Sequence, residues 1–137
     1  MAICQKLLSQ LTFDGTLAEH RYPKIGKAAE GGFGWLKKFQ AEGALLILLT
    51  MRGGKELQEA VDFCAANGVS FWQVNDNCEQ ASWTDSRKVY AHHYVDDAAI
   101  GCPLVPDSDG IRGVVDWEIV GPLVMEKIIS RKQAFSN

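Results

Sequence analysis

The chain has 137 residues, of which 47% are hydrophobic and 23% charged, and its formal net charge is −3. These values are typical of one globular domain that is large enough to bury its own core. They argue against nucleic acid as the principal partner, because no long basic block occurs. They also argue against a membrane protein, since the longest apolar run, 44–49, is far shorter than the roughly 20 residues that cross a bilayer.

The cysteines indicate a reducing compartment. Cys4, Cys64, Cys78 and Cys102 are widely scattered and form no CxxC pair or Cys/His cluster. A zinc site is therefore not expected, and the adjacent pair His92-His93 is a poor metal pair because neighbouring strand residues face opposite ways. No signal peptide is visible, so we expect a cytoplasmic protein with reduced thiols.

Turn residues and apolar spacing divide the chain into alternating strands and helices. The predicted elements are a strand over 7–14, a helix over 27–42, a strand over 44–50, a helix over 55–67, strands over 69–74 and 92–95, a short extended stretch over 113–115 and a helix over 117–132. The loops between them cover 15–26, 75–87 and 98–112. Asp116 is placed to cap the last helix, although Gly121-Pro122 predict irregular first turns.

This alternation predicts an α/β fold with one mainly parallel sheet and right-handed crossovers. The run 44–50 is apolar throughout, as expected for a strand covered on both faces. We therefore predict a three-layer, Rossmann-like single domain over 1–137, with helices on both faces of the sheet and no cap domain.

Polar side chains follow three of the predicted strands. Asp14 follows the first, Thr50 the second, and Asp96-Asp97 the fourth, with Lys88 just upstream of the fourth. Because the carboxyl ends of parallel strands meet at one edge of a sheet, we expect these groups to converge there. The sequence thus predicts a ligand-binding crevice built from residues that are far apart in the chain.

The chemistry of this set favours a metal ion and a phosphate. Carboxylates bind Mg²⁺ through oxygen, and a hydroxyl with a lysine holds a phosphate, helped by the free N–H groups where Gly53-Gly54 opens a helix. Cation and lysine together offset charge on a transferring phosphoryl group. Arg52, just past Thr50, either adds a phosphate contact or is simply exposed.

The chain resembles the haloacid dehalogenase-like (HAD) superfamily, in its small capless, phosphatase-like group. Thr12-Phe13-Asp14-Gly15-Thr16 matches the family motif DxDGT at all but its first acid. The strand ending in Thr50, then Lys88, then Asp96-Asp97 match the three later motifs in order. The resemblance covers roughly residues 7 to 130, and the stretch 19–26 (EHRYPKIG) also resembles small bacterial hydrolases of this group.

The resemblance implies a Mg²⁺-dependent, two-step phosphoryl transfer. The first acid of the motif attacks phosphorus, and the second, Asp14, acts as general acid and then base and offers its backbone carbonyl to the metal. Thr50, Lys88, Arg52 and Gly53 would bind the phosphate, while Asp96 and Asp97 would hold Mg²⁺. Here Thr12 occupies the attacking position. A hydroxyl without an adjacent base is a poor nucleophile, and the substitution also removes one carboxylate from the expected Mg²⁺ ligands.

Three interpretations therefore stay open. The chain is a phosphohydrolase homologue with weakened or lost activity, a non-catalytic phosphate- or partner-binding module, or an active phosphatase of which Thr12 is a variant. The receiver-domain fold is disfavoured, because its acidic pair follows the first strand and here the pair comes late. An open crevice suits a small-molecule or macromolecular phosphate ester, or closure by a second copy in a homo-oligomer.

Overall fold

The structure, a computed structural model, describes residues 5–136, so Cys4 lies outside the described residues. Its elements are β1 (Leu8–Thr12), α1 (Gly32–Ala41), β2 (Leu45–Leu49), α2 (Gly54–Ala66), β3 (Gln73–Val74), a 3-10 turn (Gln80–Ser82), β4 (His93–Val95), β5 (Leu104–Pro106), β6 (Gly113–Val115) and α3 (Trp117–Ala134). No helix within residues 5–136 is long and apolar enough to cross a membrane.

β1 lies at the centre of a four-stranded parallel sheet with the order β3-β2-β1-β4. It pairs with β2 along its whole length, from Leu8 beside Leu45 to Thr12 beside Leu49. On its other side Ser9 lies beside His93 and Leu11 beside Val95. The sheet is flanked by helices, which confirms the predicted α/β, Rossmann-like class.

The main core lies between one face of the sheet and the three α-helices. Leu7 and Leu11 project to this face, and their cluster includes Leu46 and Leu48 from β2. The helices contribute Phe33, Leu36 and Phe39 from α1, Ala60 and Cys64 from α2, and Trp117, Val120, Val124 and Ile128 from α3. Each large side chain buried here stabilises the fold by about 1.5–3 kcal/mol.

On the opposite face the segment between β3 and β4 packs against the central strand. Gln10 projects to that face, and its Nε2 donates to the carbonyl of Val89 at 3.2 Å. Val89 belongs to the segment between β3 and β4, which Gln80 of the 3-10 turn ties together by donating to the carbonyl of Lys88 at 2.9 Å. Within this segment the chain forms one 3-10 turn, Gln80–Ser82, between irregular stretches.

The structure departs most from the predicted elements in three places. α1 begins at Gly32 rather than at 27, because Gly31 adopts a left-handed φ of 80° that a helix cannot contain. β3 is limited to Gln73–Val74, since only these residues pair with β2 at the sheet edge. The predicted loop 98–112 contains β5, which pairs antiparallel with β6 to form a hairpin.

α3 fastens the β1 loop to the core. Asp116 caps the helix as predicted, accepting a hydrogen bond from the Glu118 N–H at 3.1 Å. Trp117 is 1% exposed, and its indole Nε1 donates to the carbonyl of Thr16 at 2.8 Å. Gly121-Pro122 lie inside a continuous helix rather than in irregular turns. The loop after β1 is therefore held in place by a buried aromatic anchor.

Candidate functional site

A cavity of about 680 Å³ opens at the carboxyl edge of the sheet, and we call it the rim pocket. Its wall includes the predicted site residues Thr12, Asp14, Thr50, Arg52, Asp96 and Asp97. Phe13, His20, Tyr22, Leu49, Met51 and Ala98 complete the wall. The convergence of the strand ends that the sequence predicts is thus present in the structure.

Asp14 forms a two-pronged ion pair with Arg52. Arg52 Nε donates to Asp14 Oδ2 at 2.8 Å, and Arg52 Nη2 donates to Asp14 Oδ1 at 2.8 Å. The Arg52 side chain is 1% exposed and that of Asp14 is 16% exposed. The hydrogen bond to Asp14 raises the pKa of Arg52 and outweighs the opposing effect of burial. Both carboxylate oxygens of Asp14 are therefore held by a permanently charged group.

The remaining N–H groups of Arg52 bind backbone carbonyls. Nη1 donates to the carbonyls of Pro23 at 3.1 Å and Glu56 at 3.4 Å, and Nη2 also donates to that of Lys24 at 2.7 Å. Since a guanidinium has five N–H donors, all of them are used inside the protein. The alternative that Arg52 is simply exposed is wrong, because Arg52 is 2% exposed. A phosphate contact from Arg52 would require one of these bonds to break.

A second set of polar groups links Thr12 to His20. The hydroxyls of Thr12 and Thr16 lie 2.5 Å apart, and Thr16 Oγ1 donates to Asp97 Oδ1 at 3.5 Å. The other carboxylate oxygen, Asp97 Oδ2, is 2.8 Å from His20 Nε2. This hydroxyl chain (Thr12, Thr16, Asp97 and His20) connects β1, its following loop and the end of β4.

Thr50 and Gly53 occupy different places. The Thr50 hydroxyl accepts from the Arg52 N–H at 3.1 Å, and the Thr50 N–H donates to Asn75 Oδ1 at 2.8 Å. Thr50 therefore lines the rim pocket with its hydroxyl hydrogen still available to a ligand. Gly53 is the exposed N-cap of α2, one residue beyond the pocket wall at Arg52.

Lys88 lies beside the rim pocket rather than in its wall. It lines a neighbouring groove that shares Thr12, Leu49 and Asp96 with the rim pocket. Its Nζ lies 5.2 Å from the centre of the Tyr94 ring, and the residue is exposed. Lys88 is thus close to the predicted site, and its side chain contacts none of the three predicted carboxylates.

The carboxylates do not fit a Mg²⁺ centre as they are arranged. Asp14 is occupied by Arg52, and both oxygens of Asp97 are hydrogen-bonded. Asp96 Oδ1 accepts from the Ala98 N–H at 2.9 Å, so among these three side chains Asp96 Oδ2 is the one oxygen with no hydrogen bond to a residue in 5–136. No group of three or more His, Cys, Asp or Glu side chains within residues 5–136 is placed to hold a metal ion. Mg²⁺ binding stays a prediction.

The segment after β1 is tied down by a second arginine, at a distance from the rim pocket. Arg21 donates to Asp107 Oδ2 at 3.2 Å and to Asp109 Oδ2 at 2.6 Å, and it also contacts Glu19 at 3.2 Å. Glu19 in turn accepts from the Ser108 hydroxyl at 2.5 Å. The hydrogen bond to Asp107 is the largest cause of a raised pKa for Arg21. These contacts fasten segment 19–26 to the loop that connects β5 and β6.

Sequence reasoning did not assign a role to His20. The available signal was the EHRYPKIG stretch, in which charged and aromatic residues directly follow the first motif. Its contact with Asp97 joins positions 77 residues apart, so no local pattern reveals it.

Comparison with known proteins places the chain in a family. A solved structure of a conserved protein from Bacteroides thetaiotaomicron is 34% identical to it and superposes with a TM-score of 0.74. The match covers 89% of this chain and 92% of the other. No protein-family model matches the chain, and no curated protein matches it. The chain belongs to the same family as this conserved Bacteroides protein.

Proposed function

We propose that the chain is a homologue of HAD-like, Mg²⁺-dependent phosphohydrolases that binds a phosphorylated ligand in the rim pocket and hydrolyses it weakly or not at all. The observation that carries this proposal is the state of the two motif positions, Thr12 and Asp14. A hydroxyl stands where the attacking carboxylate is expected, and Asp14 is engaged by Arg52 through both oxygens. Asp14 therefore has no free carboxylate oxygen to offer to a leaving group unless its contact with Arg52 breaks.

Neutral and cationic groups at the edge of the rim pocket support phosphate binding. The Thr50 hydroxyl keeps its hydrogen for a ligand, and the N-terminus of α2 begins beyond Gly53. Free N–H groups and the helix dipole attract anions at such a terminus. Lys88, exposed in the neighbouring groove, places a positive charge close to the rim pocket.

A second candidate function is a non-catalytic module for a macromolecular partner. It is favoured by apolar side chains in the wall of the rim pocket, where Tyr22 is 63% exposed and Met51 fully exposed. Exposed apolar residues around a polar site are typical of surfaces that bind a larger molecule. A phosphorylated protein, or a second copy of this chain, would cover them. We also propose a cytoplasmic location, supported by the free thiols of Cys64, Cys78 and Cys102.

The test is hydrolysis of p-nitrophenyl phosphate with Mg²⁺ by the unmodified chain, by Asp14→Asn, by Thr12→Asp, and by Thr12→Asp combined with Asp14→Asn. We expect Thr12→Asp to hydrolyse the ester at least about 100-fold faster than the unmodified chain, because it restores the attacking carboxylate. The Asp14→Asn change in the same background should abolish the gain. Binding of inorganic phosphate, measured by calorimetry, should be present in the unmodified chain.

Each outcome separates the interpretations. Rapid turnover by the unmodified chain that disappears in Asp14→Asn would make it an ordinary phosphatase and contradict the proposal. No activity in Thr12→Asp, together with phosphate binding, would favour the non-catalytic module. Absence of both activity and phosphate binding would reject a phosphorylated ligand.

A further inference from the structure

The rim pocket has room for far more than a phosphate group. Its volume of about 680 Å³ lies within the range of about 300–1,000 Å³ that holds whole small-molecule ligands. A phosphate bound at Thr50 and the N-terminus of α2 would occupy a small part of this space. The rest of the wall is therefore available to the organic part of the ligand, and its chemistry restricts which organic groups fit.

Several polar side chains of the wall are already bound to one another. Asp14 is paired with Arg52 through both carboxylate oxygens, and Asp97 Oδ2 lies 2.8 Å from His20 Nε2. A ligand hydroxyl that entered the pocket would lose its hydrogen bonds to water and find few free partners in return. Burying a polar group without a partner is costly, so this wall disfavours organic groups that are rich in hydroxyls, such as sugars.

Tyr22 presents an aromatic surface at the same wall. The residue is largely exposed although it lines the cavity. The guanidinium carbon of Arg52 lies 5.2 Å from the centre of the Tyr22 ring and 5.2 Å from the centre of the Phe13 ring. Arg52 also binds the carbonyl of Pro23, the residue that follows Tyr22. A buried side chain thus holds the Tyr22 ring and its backbone beside the pocket.

Met51 and Ala98 add exposed apolar surface to this wall. The thioether of Met51 is flexible and makes favourable contacts with the edges of aromatic rings, while Tyr22 favours a second ring in an offset or edge-to-face arrangement. We propose that the organic part of the ligand is an aromatic ring that contacts Tyr22 and Met51, so that the rim pocket selects aromatic phosphate monoesters over sugar phosphates. This inference rests on the proposed function, because it requires a phosphate bound in the rim pocket.

Tyr22 is a specificity-determining residue in this arrangement and takes no part in the chemistry at phosphorus. An aromatic phosphate monoester has two possible sources, a small aryl phosphate and a phosphotyrosine side chain of another protein. Both present a phosphate on a flat ring, which is the chemistry that the wall recognises. The experiment below therefore includes a probe for each source.

The test is calorimetric titration of the full chain, with Mg²⁺ present, using three phosphate monoesters built on carbon rings of the same size. Phenyl phosphate has an aromatic ring, cyclohexyl phosphate an apolar ring without a π-face, and inositol monophosphate a ring covered with hydroxyls. We expect phenyl phosphate to bind about fivefold more tightly than cyclohexyl phosphate, which is the effect of one aromatic pair, and inositol monophosphate to bind more weakly than either. Inorganic phosphate is titrated in parallel.

A pair of variants at Tyr22 isolates the aromatic contact. Tyr22→Phe keeps the ring and should keep the preference for phenyl over cyclohexyl phosphate. Tyr22→Leu keeps an apolar side chain without a π-face and should make the two affinities nearly equal, with the affinity for inorganic phosphate unchanged. Trp83→Leu is the matched control, because Trp83 is as exposed as Tyr22 and lies outside the wall of the rim pocket. It should leave all four affinities unchanged.

Met51→Ser tests the second apolar contact. It should weaken the binding of phenyl and cyclohexyl phosphate by at least about twofold, because it removes apolar surface from the wall, and leave inorganic phosphate unaffected. Circular dichroism melts establish that each variant is folded. A peptide with one phosphotyrosine between glycines distinguishes the sources: tighter binding than phenyl phosphate supports a protein ligand, and equal or weaker binding supports a small molecule. Both results support an aromatic ester.

Four results would overturn the inference. Equal affinities for phenyl and cyclohexyl phosphate would remove the aromatic contact, and tightest binding of inositol monophosphate would reverse the selectivity. A Tyr22→Leu variant that keeps the preference would place the ring elsewhere. If Tyr22→Leu changes the oligomeric state, measured by light scattering, and leaves the ester affinities as they were, Tyr22 faces a second copy instead.

The titrations also separate this inference from the proposed function. If inorganic phosphate binds and phenyl phosphate binds no more tightly, the aromatic selectivity alone fails. If none of the four phosphate probes binds, the proposed function fails with it.

Discussion

Polar side chains lie at both ends of the central strand, β1. Among residues 5–136 they have hydrogen-bond partners at its carboxyl end and lack them near its amino end. At the carboxyl end, Thr12 and Asp14 are bound by hydroxyl and guanidinium partners. Near the amino end, the hydroxyl of Ser9 and both ring nitrogens of His93 are buried without a hydrogen-bond partner in the described part of the chain. Ser9 and His93 are register neighbours on β1 and β4.

The two ends therefore differ in whether hydrogen bonds fix the orientation of their polar side chains. Pairing at the carboxyl end fixes the direction of each side chain, as a binding site requires. At the amino end His93 behaves as a neutral filler, because burial lowers its pKa to about 4. Removing a polar group should therefore be costly at one end of the strand and harmless at the other.

The largest expected effect comes from breaking the Arg52–Asp14 pair. Arg52→Met should lower the free energy of unfolding by about 3–5 kcal/mol, because it leaves a largely buried carboxylate and several carbonyls without their partner. Urea denaturation at neutral pH measures the change. Arg87→Met, at an exposed arginine, is the matched control and should stay within about 0.5 kcal/mol. A small loss in Arg52→Met would mean that water replaces the guanidinium.

Acid should destabilise the protein through the amino end. The folded state holds His93 neutral down to a pKa of about 4, while the unfolded chain takes up a proton near 6.5. Stability is therefore unaffected above that range and is lost as pH falls from 6.5 towards 4, by about 3 kcal/mol at most. Burial lowers the pKa of His92 as well, so both residues act in the same sense.

His93→Leu isolates the contribution of His93. Urea denaturation of this variant and of the unmodified chain at pH 7 and pH 4 should show a smaller loss on acidification in the variant. Parallel curves would place the pH dependence on other groups.

Gly15→Ala tests how tightly the Asp97–His20 pair is packed at the carboxyl end. Gly15 has a φ of 84°, and an alanine Cβ there would overlap with both side chains, so we expect a loss of about 2–3 kcal/mol. Gly43 has a φ of 94° with no atom near its added Cβ, and Gly43→Ala should cost only about 1 kcal/mol. The difference between the two thermal melts reports packing against the pair. Equal losses would mean that the pair moves aside freely.

The smallest expected effect is at Ser9. Ser9→Ala removes an unpartnered buried hydroxyl and should change the free energy of unfolding by less than about 0.5 kcal/mol, or raise it. Thr16→Val removes a hydroxyl with two partners and should cost about 1–2 kcal/mol. Chemical denaturation of both variants checks the ranking, and the reverse order would contradict the comparison.

Local sequence patterns were sufficient to predict where the strands end. They did not predict which side chains form hydrogen bonds there. Asp14-Gly15 and the apolar run before Thr50 mark places where strands stop, and the parallel sheet brings them together as predicted. The pairing of Arg52 with Asp14 spans 38 residues, and nothing around Arg52 distinguishes a buried arginine from an exposed one. Side-chain partners across the sheet depend on tertiary placement that periodicity does not encode.

The hairpin was missed for a related reason. The segment 98–112 is rich in glycine, proline and aspartate, which is typical of a loop. β5 nevertheless forms because β6 supplies its hydrogen-bond partners, from Leu104 beside Val115 to Pro106 beside Gly113. Its exposed side chains carry no alternation that would predict a strand.

The carbonyls of Pro23 and Lys24, bound by Arg52, have a consequence for the kinetics of recognition. A binding site whose backbone is already fixed loses little conformational entropy when a ligand binds. The rate of ligand association should then be limited by diffusion and orientation, because no slow rearrangement of the backbone is needed.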